Sequence, residues 1–373
     1  MLAPAGAAHA AEPCLSEVVT GAGFPTSAGS RCDDVSPPET SLTDAEPRAN
    51  RAGYLAQDSV AIAFAGAYAD ADADPISFEC QLYATAEAPS TWDSCTSPVS
   101  YTGLEDTGTL PYTFRVRAVD GADRAIDATA GGGLLQPIPA ETDLPDYDET
   151  PSSASFFVDT TTPNTFVFGG AYDQVTPDHP MLTQPALQVE LTSNESDVAY
   201  VCSVKGRPVG CQVDGETGQT VFARLRPGDQ ALRVAAVDRA GNIDPTPTYT
   251  PFSVPTNLGP RFGRGWTKVR AGGGFFARDF VQSTREGATL SLRPTRAKEL
   301  RLIAPTGPGL GVVALRIGAQ QPWIRIDQAA TTSTPFAVVY QHFFGRRFSG
   351  TVSIRVRQAS RRHPAVVDAV LVH

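Results

Sequence analysis

The chain of 373 residues carries 30 basic and 40 acidic side chains, which gives a formal net charge of −10. Its 33 glycines and 31 prolines argue against long helices, and a hydrophobic content of 41% argues against wholesale disorder. No apolar run reaches the about 18 residues of a transmembrane helix. Six cysteines, five histidines and two methionines leave few groups for metal or redox chemistry, so we expect no cofactor.

The charge is distributed unevenly along the chain. Residues 1–255 hold 12 basic and 35 acidic side chains, whereas residues 256–373 hold 18 basic and 5 acidic ones. This asymmetry indicates separate domains. The basic segment either binds an anionic partner or rests against its acidic neighbours, and composition leaves both open.

Residues 1–36 are predicted to form an N-terminal segment ahead of the folded domains. Residues 1–12 are mostly small and apolar, and Ala-His-Ala at 8–10 fits the small-x-small rule of signal-peptide cleavage, but the basic start of a signal peptide is missing. The stretch is therefore either a signal-peptide remnant or an alanine-rich terminus.

The six cysteines fall into three close pairs. None lies in a C-x-x-C motif or in a cysteine–histidine cluster with the spacing of a zinc site. An even number of locally paired cysteines predicts three disulfides and an oxidising compartment, the alternative being buried thiols. The predicted pairs are Cys14–Cys32, Cys80–Cys95 and Cys202–Cys211.

The middle of the chain repeats with a period of about 120 residues. Both copies have an aromatic residue two positions before a cysteine, a second cysteine after a short loop, and an alternating stretch that ends in Ala-Val-Asp. These stretches are YTFRVRAVD at 112–120 and QALRVAAVD at 230–238. Alternation of apolar and polar residues predicts half-buried antiparallel strands. Further strands are predicted at 60–64, 76–82, 155–158, 187–191 and 198–201.

The aspartates after each Ala-Val-Asp strand are interpreted as turn formers that bond to nearby backbone. Alignment of AVDGADRAID (118–127) with AVDRAGNID (236–244) makes Asp127 the counterpart of Asp244. The first copy then carries an insertion at about 128–151.

An acidic triplet, Asp70, Asp72 and Asp74, resembles the start of an EF-hand loop, since calcium takes oxygen ligands at such a spacing. The sixth position of that loop is Pro75 instead of glycine, and the twelfth is Gln81 instead of glutamate. We interpret the triplet as an acidic turn and as a weak calcium candidate only, and we expect no other metal site.

Residues 37–255 resemble the bacterial Ig-like, fibronectin-type-III-like repeats of secreted actinobacterial surface proteins. The resemblance rests on the two cysteine frames, on both Ala-Val-Asp strands, and on the linkers DDVSPPET (33–40) and VDTTTP (158–163). It implies two Ig-like β-sandwiches, at 37–159 and 160–255, that act as a stiff spacer. It implies nothing about a ligand.

Residues 256–373 resemble the galactose-binding-like jelly-roll modules of bacterial surface proteins and hydrolases. The resemblance rests on Gly-Trp at 265–266, Gly-Ala-Thr at 287–289, GPGLG at 307–311 and VDAV at 367–370, whereas TRAK at 295–298 departs from the usual Gly-Thr-Gly turn. The predicted fold class is therefore all-β, with two Ig-like β-sandwiches followed by a jelly-roll β-sandwich. Strands are predicted here at 288–292, 299–303, 312–317, 336–340, 352–356 and 366–372.

No pattern in the chain predicts catalysis. The nucleophile elbow G-x-S-x-G, the zinc motif H-E-x-x-H and a phosphate-binding loop are all missing. We therefore expect a protein that is not an enzyme and has no catalytic residues.

Aromatic and cationic side chains make the basic segment a candidate for sugar binding, because sugar C–H faces stack on rings and sugar hydroxyls bond to polar groups. Packing of the same rings in the core is the alternative. Nucleic acid is disfavoured as a partner by the net charge of −10 and by the predicted export. The candidate residues are Trp266, Trp323, Tyr340, His342, Phe343, Arg346 and Arg347.

Together these patterns predict an exported, non-catalytic protein of the cell surface or extracellular space, whose jelly-roll module binds a cell-wall or extracellular glycan. The alternative is a structural or adhesive surface protein that binds a protein partner and no sugar. The sequence carries no signal for an oligomeric state.

The cysteine pairing gives the first testable prediction. Peptide mapping of the exported protein without reduction should find Cys14 joined to Cys32, Cys80 to Cys95, and Cys202 to Cys211, because close pairs form short loops within one module. A disulfide between cysteines of different pairs would contradict independent modules.

Overall fold

The structure is a computed structural model that describes residues 37–68, 75–120, 147–170, 172–173, 180–214 and 218–373. These residues form β-strands and two short 3-10 helices, Pro260–Phe262 and Phe276–Arg278, so the prediction of an all-β fold is confirmed. None of the helices in this part of the chain is long and apolar enough to cross a membrane. The calcium candidates Asp70, Asp72 and Asp74 and the predicted pair Cys14–Cys32 lie outside the described residues.

The first sandwich has a three-stranded sheet in the order β1-β3-β6 and a five-stranded sheet in the order β2-β8-β7-β4-β5. Alternate residues of β3 and β7, including Ile62, Phe64, Phe114 and Val116, are buried in one hydrophobic cluster. The alternation in the sequence thus forms the core. The strands are β1 (Glu39–Glu46), β2 (Tyr54–Leu55), β3 (Ser59–Ala67), β4 (Ile76–Tyr83), β5 (Asp93–Cys95), β6 (Val99–Thr102), β7 (Tyr112–Asp120) and β8 (Ser152–Val158).

The second sandwich has a three-stranded sheet in the order β15-β12-β9 and a six-stranded sheet in the order β10-β11-β17-β16-β13-β14. Its strands are β9 (Thr165–Phe168), β10 (Tyr172–Asp173), β11 (Met181–Leu182), β12 (Ala186–Ser193), β13 (Ala199–Val204), β14 (Arg207–Val209), β15 (Gln219–Ala223), β16 (Gly228–Val237) and β17 (Thr248–Val254).

Each of these two sandwiches holds one disulfide. Cys80 bonds to Cys95 and Cys202 bonds to Cys211, with a Cα–Cα separation of 5.9 Å in both. The buried partners Cys80 and Cys202 belong to the hydrophobic clusters of their sandwiches. These two predicted pairs are confirmed.

An aspartate braces the second sandwich. Oδ2 of Asp244 accepts a hydrogen bond from the backbone N–H of Thr165 (2.9 Å), and Oδ1 accepts one from the N–H of Thr246 (2.7 Å). The hydroxyl of Thr165 accepts a bond from the N–H of Ala236 (2.7 Å). The brace ties the start of β9 to the turn ahead of β17. Burial of Asp244 opposes its ionisation, but these hydrogen bonds outweigh burial and hold its pKa below the ordinary value.

The first sandwich repeats this brace with Asp148, which accepts hydrogen bonds from the backbone N–H groups of Thr40 (3.0 Å) and Thr150 (2.7 Å). Asp148 is therefore the counterpart of Asp244, so the alignment that paired Asp127 with Asp244 was wrong; Asp127 itself lies outside the described residues. The reason is that the D-x-T-P motif that makes the brace occurs at 148–151 and at 244–247. The Ile-Asp dipeptide at 126–127 is identical to that at 243–244, but it is not followed by Thr-Pro and does not belong to this motif.

The insertion in the first copy consequently lies elsewhere than predicted. An isolated bridge joins Val119 to Tyr147, and the equivalent bridge of the second sandwich joins Val237 to Ile243. The extra residues thus lie between 119 and 147 instead of at 128–151. The brace and the bridge together close this connection at its base.

The C-terminal sandwich has a four-stranded sheet (β18-β29-β23-β26), a five-stranded sheet (β19-β22-β27-β24-β25) and a three-stranded sheet (β20-β21-β28). Buried residues from all three sheets form one cluster, including Leu300, Leu315, Ile354 and Val281. The strands are β18 (Thr256–Asn257), β19 (Gly263–Arg264), β20 (Thr267–Arg270), β21 (Asp279–Ser283), β22 (Thr289–Leu292), β23 (Ala297–Thr306), β24 (Val312–Ile317), β25 (Ile324–Asp327), β26 (Thr334–Phe348), β27 (Val352–Gln358), β28 (Ala365–Val367) and β29 (Ala369–Val372).

Two predicted strands of this segment differ from the observed ones. The strand predicted at 336–340 is the start of β26, which continues to Phe348 because residues 341–348 pair on with β23. The strand predicted at 366–372 is divided at the buried Asp368 into β28 and β29.

The chain divides into two compact units, residues 1–161 with 239–242, and residues 162–238 with 243–373. In the second unit, one hydrophobic cluster includes Met181 and Phe252 of the second sandwich and Ile303 and Leu371 of the C-terminal sandwich. The two sandwiches of this unit therefore share a core, although their sheets are separate. The domain boundaries at 159/160 and 255/256 stay predictions.

The braces predict that the protein loses stability when the aspartate side chain is removed. Replacing Asp244 by Ala leaves the buried N–H of Thr165 without its acceptor, so the free energy of unfolding should fall by about 3 kcal/mol at neutral pH. The effect should fade as the pH falls through the depressed pKa of Asp244, because its stabilisation needs the carboxylate. Urea denaturation measures both, with the exposed Asp58→Ala as control. A loss as small as that of the control would contradict the brace.

The raised pKa of Asp368 predicts a second pH dependence of stability, opposite in sign to that of Asp244. Burial raises its pKa to about 7; the hydrogen bond from the N–H of Phe276 (2.9 Å) lowers it, and the charge of Asp279 raises it. Between about pH 4 and 7 the unfolded state ionises while the folded state keeps the proton, so stability falls across this window.

The neutral variant Asp368→Asn should lose this dependence. Its stability relative to the original protein should be higher at pH 8 than at pH 4 by on the order of 4 kcal/mol. Urea denaturation at pH 4, 6 and 8 measures the difference. Identical pH profiles of the two proteins would contradict the raised pKa.

Candidate functional site

A groove of about 500 Å³ lies at one open edge of the C-terminal sandwich. β26 is the edge strand of the four-stranded sheet, and β25 is the edge strand of the five-stranded sheet. The groove is lined on one side by four rings of β26 and on the other by residues 317–322 and Ile324. The four rings belong to Tyr340, His342, Phe344 and Phe348.

The pairing of β26 with β23 directs the rings into the groove. Tyr340 lies opposite Leu302, and His342 lies opposite Leu300. Residues directly opposite in an antiparallel pair point to the same face of the sheet, and both leucines are fully buried between the sheets. Tyr340 and His342 therefore point to the inner face, where the open edge leaves them accessible.

The rings form a continuous row along the strand. Tyr340 and His342 are nearly parallel, at 11° and 6.4 Å between centroids. Phe344 meets His342 edge-on at 4.7 Å and stacks on Phe348 at 4.8 Å. His342 is exposed, and the other three rings are half-buried. These three pack against the hydrophobic cluster on one side and present a ring face or edge to the groove on the other.

Polar groups complete the groove. Burial raises the pKa of Tyr340, so its hydroxyl stays protonated at neutral pH and can both donate and accept a hydrogen bond. The exposed amides of Gln320 and Gln321 lie on the loop between β24 and β25. That loop begins at Gly318, whose φ of +86° favours glycine.

The structure brings together only some of the candidate residues. Tyr340 and His342 line the groove. Trp266 is 4% exposed and packs in the core, so it presents no ring face to solvent. Phe343 lies on the opposite face of β26, opposite Glu299, and is 64% exposed. Trp323 lies on the outer face of the five-stranded sheet.

The two arginines near the end of β26, Arg346 and Arg347, are exposed, as are Arg361 and Arg362. Burial of a guanidinium without a carboxylate partner is costly, and residues 256–373 contain only five acidic residues, so exposure of these four side chains is expected. Neither Arg346 nor Arg347 lines the groove.

Three further residues of the groove, Phe348, Gln320 and Gln321, carry no local sequence pattern that assigns them to a site. Phe348 follows Phe344 by four positions, and only the observed strand pairing reveals that both rings reach one groove. The available signal was the alternation of Tyr340, His342 and Phe344, which places three rings on one strand face.

No known protein family matches this chain, and no curated protein matches it. Fibronectin(III)-like modules of Clostridium thermocellum CbhA share 11% identity, cover 58% of this chain and 94% of their own, and give a TM-score of 0.30. Carbohydrate-binding modules of the β-sandwich superfamily share 11% identity over 58% of this chain and 99% of theirs, with a TM-score of 0.21. The FN1–FN3 domains of chicken CNTN1 share 10% identity over 90% and 99%, with a TM-score of 0.22. Likenesses this weak carry no argument about function.

Proposed function

We propose that this is an exported, non-catalytic surface protein whose C-terminal sandwich binds a glycan, with the two Ig-like sandwiches as its spacer. The observation that carries the proposal is the row of four rings in an open groove. Binding sites of this kind combine ring faces with a few placed polar groups.

The chemistry of the groove suits a sugar. A pyranose presents an apolar C–H face, which stacks on the half-buried rings of Tyr340 and Phe344. Its hydroxyls can bond to the amides of Gln320 and Gln321, which donate and accept at once. The groove is open along the strand, so it suits one portion of a longer chain as well as an end.

The placement of carboxylates supports a non-catalytic role. Hydrolysis of a glycosidic bond usually takes a pair of carboxyl groups that flank it. The described residues that line the groove include no aspartate or glutamate. Of the acidic residues in 256–373, Asp279, Glu299 and Asp368 are buried elsewhere in the sandwich, and Asp327 pairs with Arg325.

The two disulfides support export, since such bonds persist in oxidising compartments. A location outside the cell or at its surface would also bring the groove to extracellular glycans.

A second candidate function, adhesion to a protein partner, is favoured by a different surface. Phe166 and Phe168 of β9 stack at 6.5 Å and are 45% and 56% exposed, and Val221 of β15 is 56% exposed. Exposed aromatic residues are typical of protein interfaces. This face belongs to the second sandwich and does not include the groove.

The groove gives a prediction about binding. A glycan array probed with the full chain should identify bound sugars, and Tyr340→Ala and His342→Ala should each weaken the best of them about tenfold, because a central ring is typically where binding energy concentrates. Phe343→Ala is the matched control, since it removes an exposed ring from the opposite face of the same strand.

The full chain is the proper probe, because a cut at residue 255 would uncover Ile303 and Leu371 of the shared cluster. Equal losses for Phe343→Ala and His342→Ala would place binding outside the groove. Binding of no glycan, together with loss of a protein partner in Phe168→Ala, would favour adhesion.

A further inference from the structure

The outer face of the five-stranded sheet carries a row of cations. The pairing runs from Arg264 on β19 to Thr289 on β22, Arg355 on β27, Ala314 on β24 and Arg325 on β25. Because the neighbours of these residues point into the core, all five lie on the side of the sheet away from it.

Trp323 lies on the same face, between two of the arginines. The guanidinium of Arg355 is 4.2 Å from the centroid of its ring, and that of Arg316 is 4.6 Å away. Such contacts hold the planar cations over the sheet. Trp323 and the two arginines are half-buried, so each is packed on one side and still accessible to a ligand on the other.

Most of these cations lack a counter-charge within the protein. Among the described residues, Arg264, Arg316 and Arg355 form no ion pair with a carboxylate, and only Arg325 is paired, with Asp327 at 2.8 Å. Three of the five acidic residues of 256–373 are buried in the sandwich, so they do not neutralise this surface. The face therefore carries a net positive charge that an external anion could neutralise.

We propose that this face, which we call the arginine face, binds an extended acidic polysaccharide. Arg264, Arg355 and Arg325 lie on every second strand, so their Cα atoms repeat at roughly 10 Å across the sheet. Two linked sugar rings span a similar length, which lets acidic groups on alternate rings meet successive arginines. Planar guanidinium groups bind carboxylate and sulfate through paired hydrogen bonds. Trp323 supplies a ring for one sugar between them.

Single-stranded nucleic acid fits this face less well. Its binding platforms stack successive bases on several rings along a groove. The arginine face is the side of a sheet and has one ring, Trp323. The face is separate from the groove at β26, so its binding can fail while groove binding stands.

The test uses the full chain and polygalacturonate, which carries one carboxylate per ring. Calorimetric titration at low salt should show binding that weakens with added salt. Arg316→Gln with Arg355→Gln should weaken it about tenfold, because both changes remove charge-assisted hydrogen bonds beside Trp323. Arg361→Gln with Arg362→Gln is the matched control, with the same change in charge at an exposed turn, and should change it less than threefold.

The same titration with chondroitin sulfate distinguishes recognition of sulfate from recognition of carboxylate. Binding of either polymer through these arginines supports the proposal. Thermal unfolding verifies that both double variants fold. Equal weakening by both double variants would show unspecific attraction to net charge and overturn the proposal. So would absence of binding, tighter binding of oligo-dT through the same arginines, or a loss found only with Arg346→Gln and Arg347→Gln.

Discussion

The site depends on the register in which β26 pairs with β23. Leu302 lies opposite Tyr340, but the next residue of β23, Ile303, lies opposite Val338. β26 therefore has one extra residue, Val339, at this point. Beyond it, Tyr340 and His342 face the groove; before it, Val338 packs against the cluster shared with the second sandwich. One edge strand thus contributes to an interface at one end and to a row of accessible rings at the other.

The shared cluster makes the second sandwich part of the support of the site. Ile303 and Leu371 are at most 1% exposed, yet they lie on the outer face of their own sheet, and His373 adds a contact of 2.6 Å from its Nδ1 to Asp229. Burial of these side chains contributes stability that an isolated C-terminal sandwich would lack. The second sandwich is therefore also a structural partner of the module that it precedes.

Local alternation was enough to predict the fold class and the long central strands, because one face of each of these strands is buried and the other is not, whereas about half of the 29 observed strands, many of them short, were not predicted. It did not predict the length of β26, since the exposed Gly345, Arg346 and Arg347 look like a loop when strand pairing is unknown. Nor could it place Trp323, whose neighbours Arg316 and Arg355 come from two other strands. Groups of residues that meet only through pairing of distant strands are not visible in a local pattern.

The aspartate brace of the first sandwich has a consequence for engineering. Asp148 and the bridge from Val119 to Tyr147 close the connection at its base, as Asp244 does for a much shorter connection in the second sandwich. The cost in chain entropy of a longer closed loop grows only with the logarithm of its length. The number of residues between these two anchors should therefore affect the stability of the first sandwich only weakly, so a fluorescent reporter or an epitope tag placed between Asp120 and Tyr147 should leave the register of both anchored strands unchanged.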